Sequence, residues 1–256
     1  MDAPSHMPLR DHRLNGDAAI SAPAALIGDD ARAAMLLALG GGLALPATVL
    51  ASAARVGRPT ASRHLARLVE GGLLAVEPRG RSRYYRLASE QVGLLVETLA
   101  GLAPLRPPRT LAENTRMQAL RAARTCYDHL AGRLGVAVFE ALVARAAVQD
   151  LERSTLPGRK VRSGLGPVSL GPAAVAVFAE LGIDLDTVAQ SRRPLASACL
   201  DWTENQPHLA GALGAAVCSA FVQAGWVRRR SDSRAVTLTQ AGQSAVAQLT
   251  GTREQA

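Results

Sequence analysis

Aromatic residues make up only 3% of this 256-residue chain, so its cores have to be built from Leu, Val and Ala. Ala and Leu lose little freedom in a helix, and their abundance favours helical structure. Cysteine is scarce too: there are three, an odd number that argues against a disulfide framework. No apolar run reaches the roughly 18–20 residues that span a bilayer. The stretch 36–54 comes nearest, and Gly40, Gly41, Gly42 and Pro46 break it. The first twenty residues hold Arg10, Asp11, His12, Arg13 and Asp17 without an apolar h-region, so no signal peptide is expected. These absences predict a cytoplasmic protein with no membrane partner. Catalytic signatures are missing as well: no nucleophile elbow, no phosphate loop, no HExxH helix. The glycines of 164–171 do not open a helix in a βαβ unit. No enzyme activity and no cofactor are expected.

What is present is a basic surplus. The net charge is +8, carried almost entirely by Arg. Such a surplus attracts polyanions and speeds their capture, and it points to nucleic acid when the basic residues cluster. The length suggests two domains. Residues 1–22 are polar and read as a mobile tail. Residues 23–104 show short helical periods and one strand pair. Residues 105–109 form a linker, because three prolines in five residues around Pro104, Pro107 and Pro108 cannot continue a helix. Residues 110–256 form the second domain, with helical patterns over 110–148, 172–181 and 208–224 and a Gly-rich loop over 158–171.

The chemistry of 45–87 is specific. A short helix is predicted over 47–54. Val56-Gly57-Arg58 forms a turn, for which Gly57 permits a positive backbone angle. Pro59 then opens a helix reading PTASRHLARLVEGG, and Gly71-Gly72 ends it. Leu65, Leu68 and Val69 line one buried stripe. Arg58, Thr60, Ser62, Arg63, His64 and Arg67 point elsewhere, and their hydroxyl, imidazole and guanidinium groups are donors that read base edges and phosphates. A hairpin follows, with Leu74 and Val76 opposite Tyr84 and Arg86. Its tip holds Arg79, Arg81 and Arg83, which suit a phosphate backbone or a minor groove, and Tyr84 beside them is counted with the DNA-binding candidates. Turn, polar face and basic wing stand in the order of a winged helix-turn-helix.

The stretch VGRPTASRHLARLVEGGLLAVEPRGRSRYYRL, with DDARAAMLLAL upstream, resembles the ArsR family of winged-helix regulators. The resemblance covers about a third of the chain. It implies a homodimer on double-stranded operator DNA, joined through the first helix and the helix after the wing, here near 23–27 and 89–102. Val92, Leu95 and Leu99 give the latter an apolar stripe. Metal-sensing members often carry a cysteine pair before the turn, or His and acidic ligands after the wing. Here those helices read LPATVLASAA and ASEQVGLLVETLAGLA, with neither cysteine nor histidine, so the resemblance names no inducer.

The second domain repeats itself. CYD at Cys126 runs into HLAGRLGVAVFEALVARAAV. CLD at Cys199 is followed by six inserted residues and then HLAGALGAAVCSAFVQAGWV, and 13 of 23 aligned positions are identical. The copies span about 126–183 and 199–250, and each is expected to be a winged-helix-like unit. The fold class predicted is mainly α with small β-hairpins (α+β): an N-terminal winged helix-turn-helix followed by this duplicated region. The run 208–224 is apolar all round, hence buried rather than base-reading. The Arg228, Arg229, Arg230 and Arg234 hairpin reads as a solvated face. Sensing and dimer support are therefore assigned here. Candidate effector residues are Arg124, Cys126, Tyr127, Asp128, His129, Cys199, Asp201, Trp202 and His208. They suit an organic effector held between the copies, a thiol-redox signal, or only the fixing of helix ends. Cys and His are zinc ligands, but Cys126-x-x-His129 and Cys199 nine residues before His208 match no recognised metal spacing, and no metal is assigned. The function expected is a sequence-specific regulator, a repressor released by a small effector. The alternatives are a nonspecific DNA-architectural protein and a redox- or metal-responsive regulator.

Overall fold

The computed structural model describes residues 18–104, 107–150, 165–230 and 233–251. Most of the expected tail and part of the linker therefore lie outside the described residues. The helices are α1 (Ser21–Ile27), α2 (Asp30–Leu39), α3 (Ala47–Ala53), α4 (Arg58–Glu70), α5 (Glu90–Leu102), α6 (Leu111–Ala122), α7 (Gly132–Ala144), α8 (Ala174–Glu180), α9 (Leu185–Ala189), α10 (Gly211–Gln223) and α11 (Gln240–Thr250). The strands are β1 (Leu45–Pro46), β2 (Leu74–Arg79), β3 (Ser82–Leu87), β4 (Arg124–Cys126), β5 (His129–Ala131), β6 (Val148–Asp150), β7 (Leu165–Leu170), β8 (Ser197–Leu200), β9 (Pro207–Ala210), β10 (Val227–Arg229) and β11 (Val236–Leu238). All the sheets are small and antiparallel, as the mainly helical α+β reading expects.

Two large apolar clusters hold the described residues, with a small third one between the repeats. The first gathers Met35, Leu36 and Leu39 of α2, Leu50 of α3, Leu65 and Leu68 of α4, Leu74, Tyr85 and Leu87 of the wing, and Val96 of α5. Leu65 and Leu68 are fully buried, and each contributes about 1.5–3 kcal/mol by leaving water. Side chains cap two of the helices in this cluster. Asp29 accepts from the Arg32 backbone N–H at the start of α2, and Ser89 accepts from Val92 at the start of α5. The turn before α4 differs from expectation. Gly57 has φ −66°, and the left-handed residue is Arg55 with φ 55°. The reversal is completed one step earlier, so Gly57 serves as the extended residue before the helix.

The second cluster gathers Phe139 and Leu142 of α7, Phe178 of α8, and Leu213, Val217 and Phe221 of α10. Three expectations are corrected here. The region 110–148 is not one helical run, because the hairpin β4–β5 interrupts it between α6 and α7. The run 208–224 begins as strand β9 and becomes helix only at Gly211. The end of the expected loop 158–171 is strand β7, held between β6 and β8. In each case backbone pairing with another strand overrides a local pattern.

The two halves of this region follow one order: hairpin, long helix, strand, strand, helix. They also exchange contacts. Strand β7 of the first half pairs with β8 of the second. In return the segment before β11 meets β4, through the Arg124–Ala235 bridge and the Val236 N–H donating to the Ala123 carbonyl. Helix α7 packs on β9, and α10 packs on β5. Gly135 and Gly214 keep this crossing close: a Cβ at Gly135 would lie 3.5 Å from His208 Cβ, and one at Gly214 3.0 Å from His129 Cβ.

The N-terminal cluster meets the rest of the chain at the turn Gly40-Gly41-Gly42. A Cβ on Gly41 would lie 2.5 Å from Arg234 Cβ, and one on Gly42, which has φ +70°, 2.1 Å from the Tyr127 carbonyl oxygen. The Thr125 hydroxyl donates to the Gly41 carbonyl (3.1 Å), and the Tyr127 N–H donates to that of Gly40 (2.6 Å). The glycines that break the apolar run 36–54 thus form the seat for the β4–β5 hairpin.

Candidate functional site

Helix α4 is held by Ala61, Leu65 and Leu68, all buried. The helical period then turns Arg58, Ser62, Arg63 and Arg67 to solvent, while Thr60 is half-buried. The Arg63 guanidinium lies 3.4 Å from the Thr60 hydroxyl and otherwise faces outward. His64 behaves differently. Its ring turns toward the start of α2, with Nδ1 3.6 Å from Asp29 Oδ1, so it sits behind the outward face that the helical wheel gave it.

The wing pairs Leu74 with Leu87 through Arg79 with Ser82, and its turn is Gly80-Arg81. Arg79 donates to Glu77 at 2.9 Å and lies over the Tyr84 ring at 4.7 Å. Arg86 donates to Glu77 from the other side, at 2.7 Å. The Glu77 carboxyl is held below its usual range by these two hydrogen bonds, that from Arg79 first. Arg81 and Arg83 are exposed and form no ion pair among the described residues. The wing therefore spends Arg79 and Arg86 on its own geometry, while Arg81 and Arg83 face solvent.

A second polar assembly lies where α5 meets the C-terminal half. Arg124, Asp201, Glu97 and Arg234 are all buried. Glu97 of α5 accepts from Arg234, and Arg124 Nη2 lies 4.0 Å from its other oxygen. The same Nη2 is 3.0 Å from Asp201 Oδ2, an ion pair whose angle does not make a hydrogen bond. Arg124 Nη1 donates to the Thr203 hydroxyl at 3.0 Å, and its guanidinium stacks 4.9 Å above the Trp202 ring. Burial opposes the charge on Asp201, yet Arg124, His208, the Thr203 hydroxyl and the Gly132 N–H together hold its carboxyl well below the usual range. Arg234, expected on a solvated face, is instead a buried partner of α5. Sequence offered no signal for Glu97, which looks like an ordinary helical glutamate.

The remaining effector candidates divide. Tyr127 packs against Gly93 of α5, and Asp128 pairs with Arg193, which also donates to Glu90 at 2.7 Å. Cys126, His129, Cys199 and His208 come together in the interior. Cys126 is the cross-strand partner of His129 in β4–β5, and Cys199 is the cross-strand partner of His208 in β8–β9. The two rings stand 5.1 Å apart, and the two cysteines share a small cluster with Ala131 and Ala210. Burial, with the positive neighbours, keeps His129 well below its usual pKa and hence neutral. The two thiols shift one another in opposite directions: the neighbouring Cys126 draws Cys199 down, and the neighbouring Cys199, together with burial, pushes Cys126 up. Spacing in the sequence did not suggest this meeting, because cross-strand pairing brings the residues together whatever the loop length.

A cavity of about 810 Å³ lies between α2, α5 and α6, lined by Leu37, Leu99, Met117 and Trp202 among others. The two histidine rings stand between the two repeats, and this cavity lies away from them, against Trp202. Among the described residues no helix is long and apolar enough to cross a membrane.

Residues 27–77 match a helix-turn-helix domain family. The chain is 38% identical over 220 residues to the HTH-type transcriptional regulator YdfF of Bacillus subtilis (strain 168), covering 86% of this chain and 92% of that protein. Reduced HlyU from Vibrio cholerae N16961 is 23% identical over 34% of this chain and 90% of its own, with a TM-score of 0.31. The homodimeric winged helix-turn-helix DNA-binding domain of Mb0332 from Mycobacterium bovis is 22% identical over 35% of this chain and 89% of its own, with a TM-score of 0.30. With the full-length likeness to YdfF and the α3–α4–wing arrangement in hand, this chain belongs to the HTH-type transcriptional regulators.

Proposed function

We propose that the protein is a sequence-specific repressor that binds operator DNA as a homodimer and is released by an effector received in its C-terminal half. One observation carries the DNA-reading part: α4 presents Ser62, Arg63 and Arg67 to solvent beside a wing whose Arg81 and Arg83 have no ion-pair partner among the described residues. Helix and wing then divide the work, with α4 at base edges in a major groove and the wing on phosphate. The dimer reading follows the ArsR resemblance and is supported by α5, where Leu95 is 38%, Leu99 39% and Leu102 72% exposed. Effector control is supported by the cavity beside Trp202, whose volume and apolar lining suit a small organic molecule. Trp202 stacks on Arg124, and Arg124 reaches Glu97 in α5, so a ligand that moves Trp202 acts on the dimer helix.

The test is competition binding on the promoter region upstream of the protein's own coding sequence. Arg63→Ala is expected to lose about 1–3 kcal/mol at the specific site and less on random DNA. Equal losses on both would mean that α4 contacts only the backbone and that the protein is an architectural binder.

A further inference from the structure

From the meeting of the two repeated hairpins we infer that Cys126, His129, Cys199 and His208 form a four-ligand site for one thiophilic divalent cation of the zinc class. The inference goes beyond the DNA-binding reading and does not rest on it.

The geometry comes from the repeat. In an antiparallel hairpin, directly opposed residues project from one face with Cβ atoms about 4.5–5.5 Å apart. Each hairpin here opposes a cysteine to a histidine, and the exchange of contacts lays the two faces against each other. Cys126 Sγ and one nitrogen from each of His129 and His208 already lie within 4.8 Å of one another, all buried. Tetrahedral zinc with bonds of about 2.0–2.3 Å needs ligand atoms roughly 3.3–3.8 Å apart, and side-chain adjustment of about 1 Å closes that difference. Cys199 completes the set: it is the cross-strand partner of His208 and shares a buried cluster with Cys126.

Three further observations point to an occupant. His129 Nδ1, His208 Nδ1 and His208 Nε2 are buried without a hydrogen-bond partner, and a fold rarely leaves such atoms unsatisfied. The residues around them are the smallest available. Ala131 and Ala210 pack on the cysteines, while a Cβ at Gly214 would lie 3.0 Å from His129 Cβ and one at Gly135 3.5 Å from His208 Cβ. Asp201 Oδ2 stands 3.6 Å from His208 Nδ1, just beyond hydrogen-bond reach, and a small shift of the ring brings it to where a carboxylate orients a ligating imidazole with Nε2 toward the metal. Two thiolates and two neutral imidazoles form a soft, closed donor set, which suits zinc-class cations and leaves no open position for catalysis. Binding releases both thiol protons to solvent, the two thiolates neutralise the dication, and no electron moves.

The site is tested with the full-length reduced protein, stripped of metal and titrated with Co²⁺ and then Zn²⁺. One equivalent of Co²⁺ is expected to produce the ligand-field absorption of a tetrahedral centre together with thiolate-to-cobalt charge transfer, and Zn²⁺ is expected to bleach both. Cys199→Ser and His208→Asn are each expected to weaken binding at least about 100-fold, the upper end of what the loss of a supporting residue costs, while Cys218→Ser leaves it unchanged. Zn²⁺ is also expected to slow alkylation of Cys126 and Cys199 in the parent, a readout that needs no variant to fold. The inference is overturned if one equivalent of Co²⁺ gives no tetrahedral spectrum, if the spectrum lacks thiolate charge transfer, or if Zn²⁺ leaves the alkylation rates of both cysteines unchanged. Operator binding by the same metal-free sample separates the two readings, because it stands or falls independently of the cobalt spectrum.

Discussion

Replacing Arg234 with Ala tests the joint between the DNA-binding module and the rest of the chain. Glu97 and Arg234 are both buried, and the nearest further charge on the glutamate is Nη2 of Arg124, at 4.0 Å. Removing one member of such a pair leaves an uncompensated buried charge, which costs about 3–5 kcal/mol. Arg124 keeps some compensation in place, so the lower end of that range is expected. The guanidinium of Arg234 also lies 5.9 Å from the Trp202 ring, and removing it from there adds about 0.5–1 kcal/mol. The sum is about 3–4 kcal/mol, which lowers the urea midpoint of the transition by roughly 1–2 M for a slope near 2–3 kcal/mol/M. A double variant, Glu97→Gln with Arg234→Met, is expected to recover most of the loss, because it removes both charges at similar volume. A cycle of the parent, Glu97→Gln, Arg234→Met and the double variant reports the coupling directly. A single Arg234→Ala variant within about 0.5 kcal/mol of the parent, the range of an ordinary surface change, would refute the argument that this pair is shielded from water.

Two further outcomes follow from the surface. Changing Arg81 or Arg83 to Ala is expected to weaken binding to all DNA sequences and to reduce the salt dependence by about one unit of slope for each phosphate left without its arginine; a salt dependence equal to the parent's would place the wing away from DNA. Leu99→Asp puts a charge into the exposed apolar stripe of α5 and is expected to shift the protein to monomer in sedimentation equilibrium and to reduce operator affinity, whereas a variant that remains dimeric would move the interface elsewhere.

The DNA-reading half is legible in the sequence because its signals are local. Pro59, the Leu65–Leu68 spacing and Gly71-Gly72 each act within one helix, and the observed α4 begins and ends within a residue or two of them. The wing is legible for the same reason, through Gly80 and the arginines beside it. What escapes depends on partners far along the chain. Three-residue strands such as β4 and β5 are too short to show alternation, and His129-Leu130-Ala131 reads equally well as the start of α7. Only the opposing hairpin and α10 settle it as strand. His64 shows the same limit on a smaller scale: the helical period points it outward, and Asp29, thirty-five positions earlier, draws it in. Arg234 escapes because a hairpin rich in arginine resembles a solvated face until Glu97 is placed beside it.

The exchange of strands between the two repeats also governs the order in which the chain can be completed. A domain made of two side-by-side repeats could close its first unit as soon as that unit left the ribosome. Here β7 waits for β8, and β4 waits for the segment around Ala235, more than a hundred positions later. The seat at Gly41 waits as well, since Arg234 and Thr125 fill it. Contacts of such long sequence separation form slowly, and domains synthesised early otherwise fold first. During synthesis the DNA-binding module therefore carries a buried-to-be glutamate and an open glycine turn until Arg234 and Ala235 emerge. A nascent chain stalled before residue 234 holds α5 without the arginine that clamps Glu97, and the module gains that clamp only when the β10–β11 hairpin arrives.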